Sequence, residues 1–169
     1  MAAVNVPGIS GKVDDSDVVK YSGGAFSLYF DGSVFGLATD AEDVDAIAFT
    51  GSGDLLVSTL GAYLVTGLPK GQDEDLLRLA GGNWSLYFDG SHNAALGAED
   101  VAGADVAANG DIYLNVLDAF NVPGAKGNGM DIFICEPSGL GYLSTQCTYK
   151  LFWRATDYGM TAIDAIDIE

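Results

Sequence analysis

The octapeptide Phe26-Ser-Leu-Tyr-Phe-Asp-Gly-Ser33 returns as Trp84-Ser-Leu-Tyr-Phe-Asp-Gly-Ser91, 58 positions later, with only the first residue changed. A repeat of this length restricts the chain to architectures that stack one supersecondary unit on copies of itself. The flanks repeat too. Asp17-Val-Val-Lys20 matches Asp75-Leu-Leu-Arg78, and Asp131-Ile-Phe-Ile134 follows 56 positions later. Glu42-Asp-Val44 matches Glu99-Asp-Val101, and Gly53-Asp-Leu-Leu-Val57 matches Gly110-Asp-Ile-Tyr-Leu114. A more divergent copy reads Tyr149-Lys-Leu-Phe-Trp153, and Ile163-Asp-Ala-Ile166 echoes Val44-Asp-Ala-Ile47. The 169 residues therefore form one repeat-built domain of three units, spanning about 44–100, 101–162, and a composite of 163–169 with 1–43.

Each unit reads as four strands. In the first full unit they are Asp45 to Phe49, Asp54 to Thr59, Asp75 to Leu79 and Trp84 to Phe88, separated by Gly-rich breaks at Gly51-Ser-Gly53 and Gly81-Gly82. Strict alternation puts Trp84, Leu86 and Phe88 on one face and Ser85, Tyr87 and Asp89 on the other. Val4-Asn-Val6, Asp17 to Tyr21 and Phe26 to Phe30 read as the later strands of the composite unit. No helical period extends over eleven residues. The fold class is all-β. The phrase Val44-Asp-Ala-Ile-Ala-Phe-Thr-Gly-Ser-Gly-Asp-Leu-Leu-Val-Ser-Thr59 resembles the inner two strands of a β-propeller blade, and small residues at Ala46, Ala48, Gly103 and Ala165 suit a crowded axis. A three-fold β-trefoil or β-prism is the alternative. The Ser-Leu-Tyr-Phe-Asp-Gly-Ser and Glu-Asp-Val-Asp-Ala elements are similar to repeats of bacterial secreted and surface proteins, a resemblance that covers nearly the whole chain and brings no activity with it.

Composition narrows the function class. Apolar residues make up 49% and charged ones 18%, so the chain can bury a core despite its net charge of −17. That charge disfavours nucleic acid and anionic membrane as partners. No apolar run reaches membrane-spanning length. His92 is the single histidine, which excludes a multi-histidine metal site, and no Gly-x-Ser-x-Gly nucleophile turn is present. The expectation is no enzyme and no catalytic residues.

Three sets of residues remain as candidates. Glu42, Asp43, Glu99 and Asp100 recur in register before strands and are the choice for calcium, the one cofactor expected. The competing reading is that such acids cap turns. Tyr29 with Asp31 and Tyr87 with Asp89 are the pairs suited to carbohydrate, a tyrosine stacking on a sugar ring while a carboxylate accepts its hydroxyls. Packing between units is the alternative for those tyrosines. Cys135 closes a third strand and Cys147 opens a fourth, so a hairpin brings them into bonding reach, and a disulfide fits an oxidising, extracellular or cell-surface location. The functional expectation is an extracellular binding or adhesion module, with a self-assembling structural subunit as the alternative. Its partner would be a second copy, as a six-bladed dimer or a filament.

Overall fold

The computed structural model describes residues 3–92, 96–161, 163 and 165–168. Its strands form four antiparallel sheets, none closed, and no α-helix occurs among the described residues. The first sheet is a hairpin of β1 (Val18–Ser22) and β2 (Ala25–Phe30). A four-stranded meander follows in chain order: β3 (Val44–Phe49), β4 (Leu55–Thr59), β5 (Leu76–Ala80) and β6 (Asn83–Phe88). The second four-stranded sheet uses β7 (Val101–Val106) and β8 (Ile112–Val116), then β11 (Ile132–Gly139) and β12 (Gln146–Trp153). Between them a small separate hairpin pairs β9 (Phe120–Val122) with β10 (Ala125–Gly127).

The two large sheets share one register. Leu56 stands opposite Arg78 in the first and Tyr113 opposite Ile134 in the second, which are matching positions of the repeat. All five residues of β4 are buried, which explains why it opens on the unbroken apolar run Leu55-Leu-Val57 rather than an alternation. Ala46, Ala48 and Leu56 on one face meet Ile112, Leu114 and Phe133 of the second sheet in the larger core. The other face carries Leu55, Val57 and Leu77, which pack with Phe30 and Leu37 of the preceding segment. Each seam is tied by the same backbone bond: Val44 N–H donates to the Asp15 carbonyl at 2.9 Å, and Val101 N–H to the Asp73 carbonyl at 3.1 Å.

Three sequence expectations are corrected. Trp84, Leu86 and Phe88 do not share a face, because a β-bulge lies between Leu76 and Leu77. Trp84 and Leu86 join the smaller core while Phe88 joins the larger one. The bulge recurs between Val18 and Val19 and between Ile132 and Phe133. Val4 to Val6 is no sheet strand, since only Val4 pairs, as an isolated bridge to Val13. That bridge matches the Phe120 to Gly127 pair of β9 and β10, and Asn5-Val-Pro-Gly8 recurs as Asn121-Val-Pro-Gly124. Cys135 does not end its strand, because β11 runs on to Gly139.

The expected disulfide is present. Cys135 and Cys147 are bonded, with their Cα atoms 5.1 Å apart. Among the described residues no helix is long and apolar enough to cross a membrane.

Candidate functional site

The most regular polar feature is an aspartate at the head of the third strand of every unit. Asp17 Oδ1 accepts from Gly32 N–H, Asp75 Oδ1 from Gly90 N–H, and Asp131 Oδ1 from Ala155 N–H, each at 3.0 Å. The second oxygen accepts from the amide three residues upstream: Asp14 at 3.0 Å, Gln72 at 3.3 Å and Asn128 at 3.1 Å. Each carboxylate thus latches the entry of the third strand to the exit of the fourth. Asp75 also accepts from the Tyr63 hydroxyl at 2.9 Å. Burial raises the Asp75 carboxyl even so, its hydrogen bonds notwithstanding.

The Asp-Gly-Ser turn follows the fourth strand. Asp31 Oδ1 accepts from Ser33 Oγ at 2.7 Å and Val34 N–H at 3.2 Å, and Asp89 Oδ1 from Ser91 Oγ at 2.9 Å and His92 N–H at 3.0 Å. His92 is therefore a half-buried turn residue. The glycine is required by close approach: a Cβ on Gly90 would overlap the Glu74 carbonyl, and one on Gly32 the Ser16 carbonyl.

Beyond this the two candidate sugar pairs differ. Asp89 is buried, and its Oδ2 accepts from Leu143 N–H at 2.8 Å, while Thr145 Oγ1 accepts from Asp89 N–H at 2.8 Å. Both partners lie in the loop joining β11 to β12. Tyr87 is half-buried against the larger core, and that burial raises its hydroxyl. Tyr29 remains 45% exposed, edge-on to Phe49 with ring centroids 5.7 Å apart. Asp31 is half-buried in its turn.

The four calcium candidates fall on the seams. Glu42 is buried and its carboxylate is filled by amides. Oε2 accepts from Ala38 N–H, Thr39 N–H and Thr39 Oγ1 at 3.0, 3.1 and 2.9 Å, and Oε1 from Leu64 N–H at 2.9 Å. Burial opposes its charge, but these bonds prevail and hold the carboxyl below the ordinary range. Glu99 lacks that cap, because Leu96 stands where Thr39 does in the first copy. Burial and then Asp118 raise it. Asp43 is raised by burial and by Asp15 across the first seam. Asp100, its counterpart, is pushed up to about 7 by burial, with Asp45 and Asp73 adding to the shift. Glu74 is likewise raised to about 7, by burial and its acidic neighbours Asp73 and Asp75. Among the described residues no group of three or more His, Cys, Asp or Glu is placed to hold a metal ion.

Comparison with protein-family models, curated proteins and solved structures returns no match. The geometry alone carries the reading.

One surface stands apart from these acids. An apolar groove of about 490 Å³ runs between the β1–β2 hairpin and β3, lined by Val18, Lys20, Tyr29, Ile47 and Phe49. It exists because the hairpin supplies two strands where the other units supply four. Ile47 and Phe49 are left 43% and 41% exposed, whereas Ala104, the counterpart of Ile47 in the second sheet, is 2% exposed beneath the first sheet and Val106, the counterpart of Phe49, is half-buried. The repeat in sequence marked Tyr29 but gave no sign of Ile47 or Phe49, since their exposure depends on what the neighbouring unit lacks.

Proposed function

We propose that this chain is a non-enzymatic binding or adhesion module of an extracellular or cell-surface setting, its units stacked in the manner of propeller blades. Its ligand surface is the groove at Tyr29 and Phe49, and carbohydrate is the ligand class. The observation that carries this reading is the contrast between acids and aromatics. The aspartates that head the third strands, Asp17, Asp75 and Asp131, are engaged in latches, and Asp31 and Asp89 in turns. Tyr29 and Phe49 instead present aromatic surface in an open apolar groove. Asp31 lies two positions beyond Tyr29 at the strand end, where a carboxylate can accept sugar hydroxyls. The Cys135–Cys147 disulfide supports an oxidising compartment.

A glycan array followed by calorimetric titration of the best ligand tests this reading. Saturable binding that falls about tenfold or more in Tyr29→Ala is expected, about 1.4 kcal/mol being one decade. Tyr87→Phe should leave it unchanged. An array with no ligand would sink the reading.

A further inference from the structure

We propose that the outer face of the β1–β2 hairpin and the outer face of the second four-stranded sheet are the two halves of one joint, and that they unite copies of this chain head to tail. The joint is already made twice within the molecule. On one side of it the first sheet offers Leu77, Leu79, Trp84 and Leu86, packed with Val18, Phe30 and Phe35 from the preceding unit. The second sheet offers the counterparts Phe133, Cys135, Tyr149 and Leu151, packed into the core shared with the first sheet. On the hairpin the same positions are Val19, Tyr21, Phe26 and Leu28: Val19 is half-buried, and Tyr21 is 64%, Phe26 39% and Leu28 38% exposed.

The opposite half of the joint follows the same logic. Phe30 of the hairpin and Phe88 of the first sheet are buried against the next sheet, at 3% and 0% exposure. Their counterpart on the second sheet, Trp153, lies in an open apolar groove of about 530 Å³ with Ile132, Phe152, Ile163 and Ile166. Phe152 is 49% exposed there. Asn115 pairs with Gly103 on the same sheet, and its buried Oδ1 has no hydrogen-bond partner among the described residues. The open faces therefore carry apolar side chains at most of the positions that their counterparts use inside the chain; the exception is Asp105, which stands where Ala48 does and accepts from Ile168 N–H at 2.9 Å. The occupant that fits both at once is a second copy. The two halves differ, so the contact is heterologous: it closes if the rotation allows and otherwise propagates as a filament. Two closed joints would make the six-bladed ring. The proposal does not rest on the ligand reading, because Tyr29 points to the opposite face of the hairpin from Leu28.

Light scattering on the full chain across micromolar to high micromolar concentration tests it. The expected mass is a multiple of 17.5 kDa, and the multiple grows with added salt, because copies of net charge −17 repel one another. Leu28→Lys and Phe152→Lys should each give folded monomers by circular dichroism. Mixed, they should form a two-chain complex and nothing larger, since one intact half survives on each. If either loses its fold, Tyr21→Lys and Phe152→Ser serve as the second pair. A wild-type chain that stays monomeric at every concentration and salt would overturn the proposal. So would folded variants that stay apart when mixed, or association that neither substitution disturbs.

Discussion

Replacing Asp75 by Ala strips a partner from Gly90 N–H, Gln72 N–H and the Tyr63 hydroxyl at a site 4% exposed. Unpaired buried donors cost about 1–3 kcal/mol each before relaxation. Urea unfolding of Asp75→Ala should show a loss of about 3 kcal/mol, and the half-buried Asp17→Ala about half as much. Equal losses at the two sites would mean that burial does not set the strength of the latch. Gly90→Ala should cost about 1–3 kcal/mol by overpacking against the Glu74 backbone. At the seam between the large sheets, Glu74 and Asp100 are both raised to about 7, far above the carboxyl range of an unfolded chain at about 4. The folded state thus holds more protons than the unfolded one between those limits, so stability falls as pH rises towards 7. Below about pH 4 the sign reverses, because Glu42 and Asp54 are held low, Asp54 by Arg78, and lose their bonds on protonation. Melting temperature should therefore peak on the acid side of neutrality. The double variant Glu74→Gln, Asp100→Asn should flatten the limb above the peak, and an unchanged limb would place its cause elsewhere.

At the scale of elements, the β11–β12 hairpin is fixed at both ends. The Cys135–Cys147 bond crosses it, and the loop beyond is clamped to the end of β6 by Gly141 N–H to the Tyr87 carbonyl at 2.9 Å and Leu143 N–H to Asp89 at 2.8 Å. Leu143 takes a φ of 52°, the one positive value among the described non-glycine residues, so its amide bond to Asp89 holds a turn that a free loop would avoid. Replacing both cysteines by Ser should cost about 3 kcal/mol on the loop-entropy estimate. Hydrogen exchange should show the added opening confined to the second sheet, and a uniform loss of protection would contradict this. The strands themselves were legible in the sequence, because alternation, Gly-rich breaks and recurrence all mark them. The bulges were not. Slipping one residue to the other face leaves no trace in apolar content, so Phe88 reads with Trp84 and Leu86. The identical Asp-Gly-Ser turns also conceal the different fates of Asp31 and Asp89. Asp89 meets partners 54 and 56 residues away, in a loop that the first copy does not have.

For the whole molecule, 24 acidic against 7 basic side chains means that the compact state works against its own charge. Moving from low to physiological ionic strength should raise the melting temperature by several degrees, since screening shortens to about 8 Å. Calcium at matched ionic strength should add nothing further, because Glu42 is already filled by four donors. A larger shift at submillimolar calcium would identify Asp43, Glu99 and Asp100 as ligands. The latch has one more consequence, which concerns how such a chain can lengthen. Asp75 finds Gly90 only 15 residues away, so the bond begins and ends inside one unit, and the seam bond from Val44 or Val101 uses only backbone. A stretch copied out between Glu42 and Glu99 would carry its latch with it and present the neighbours with the seam they already have. Duplication or loss of a whole unit in the gene is then tolerated, and so is a longer hairpin inside a unit, since Asp131 reaches Ala155 across 24 residues at the same 3.0 Å.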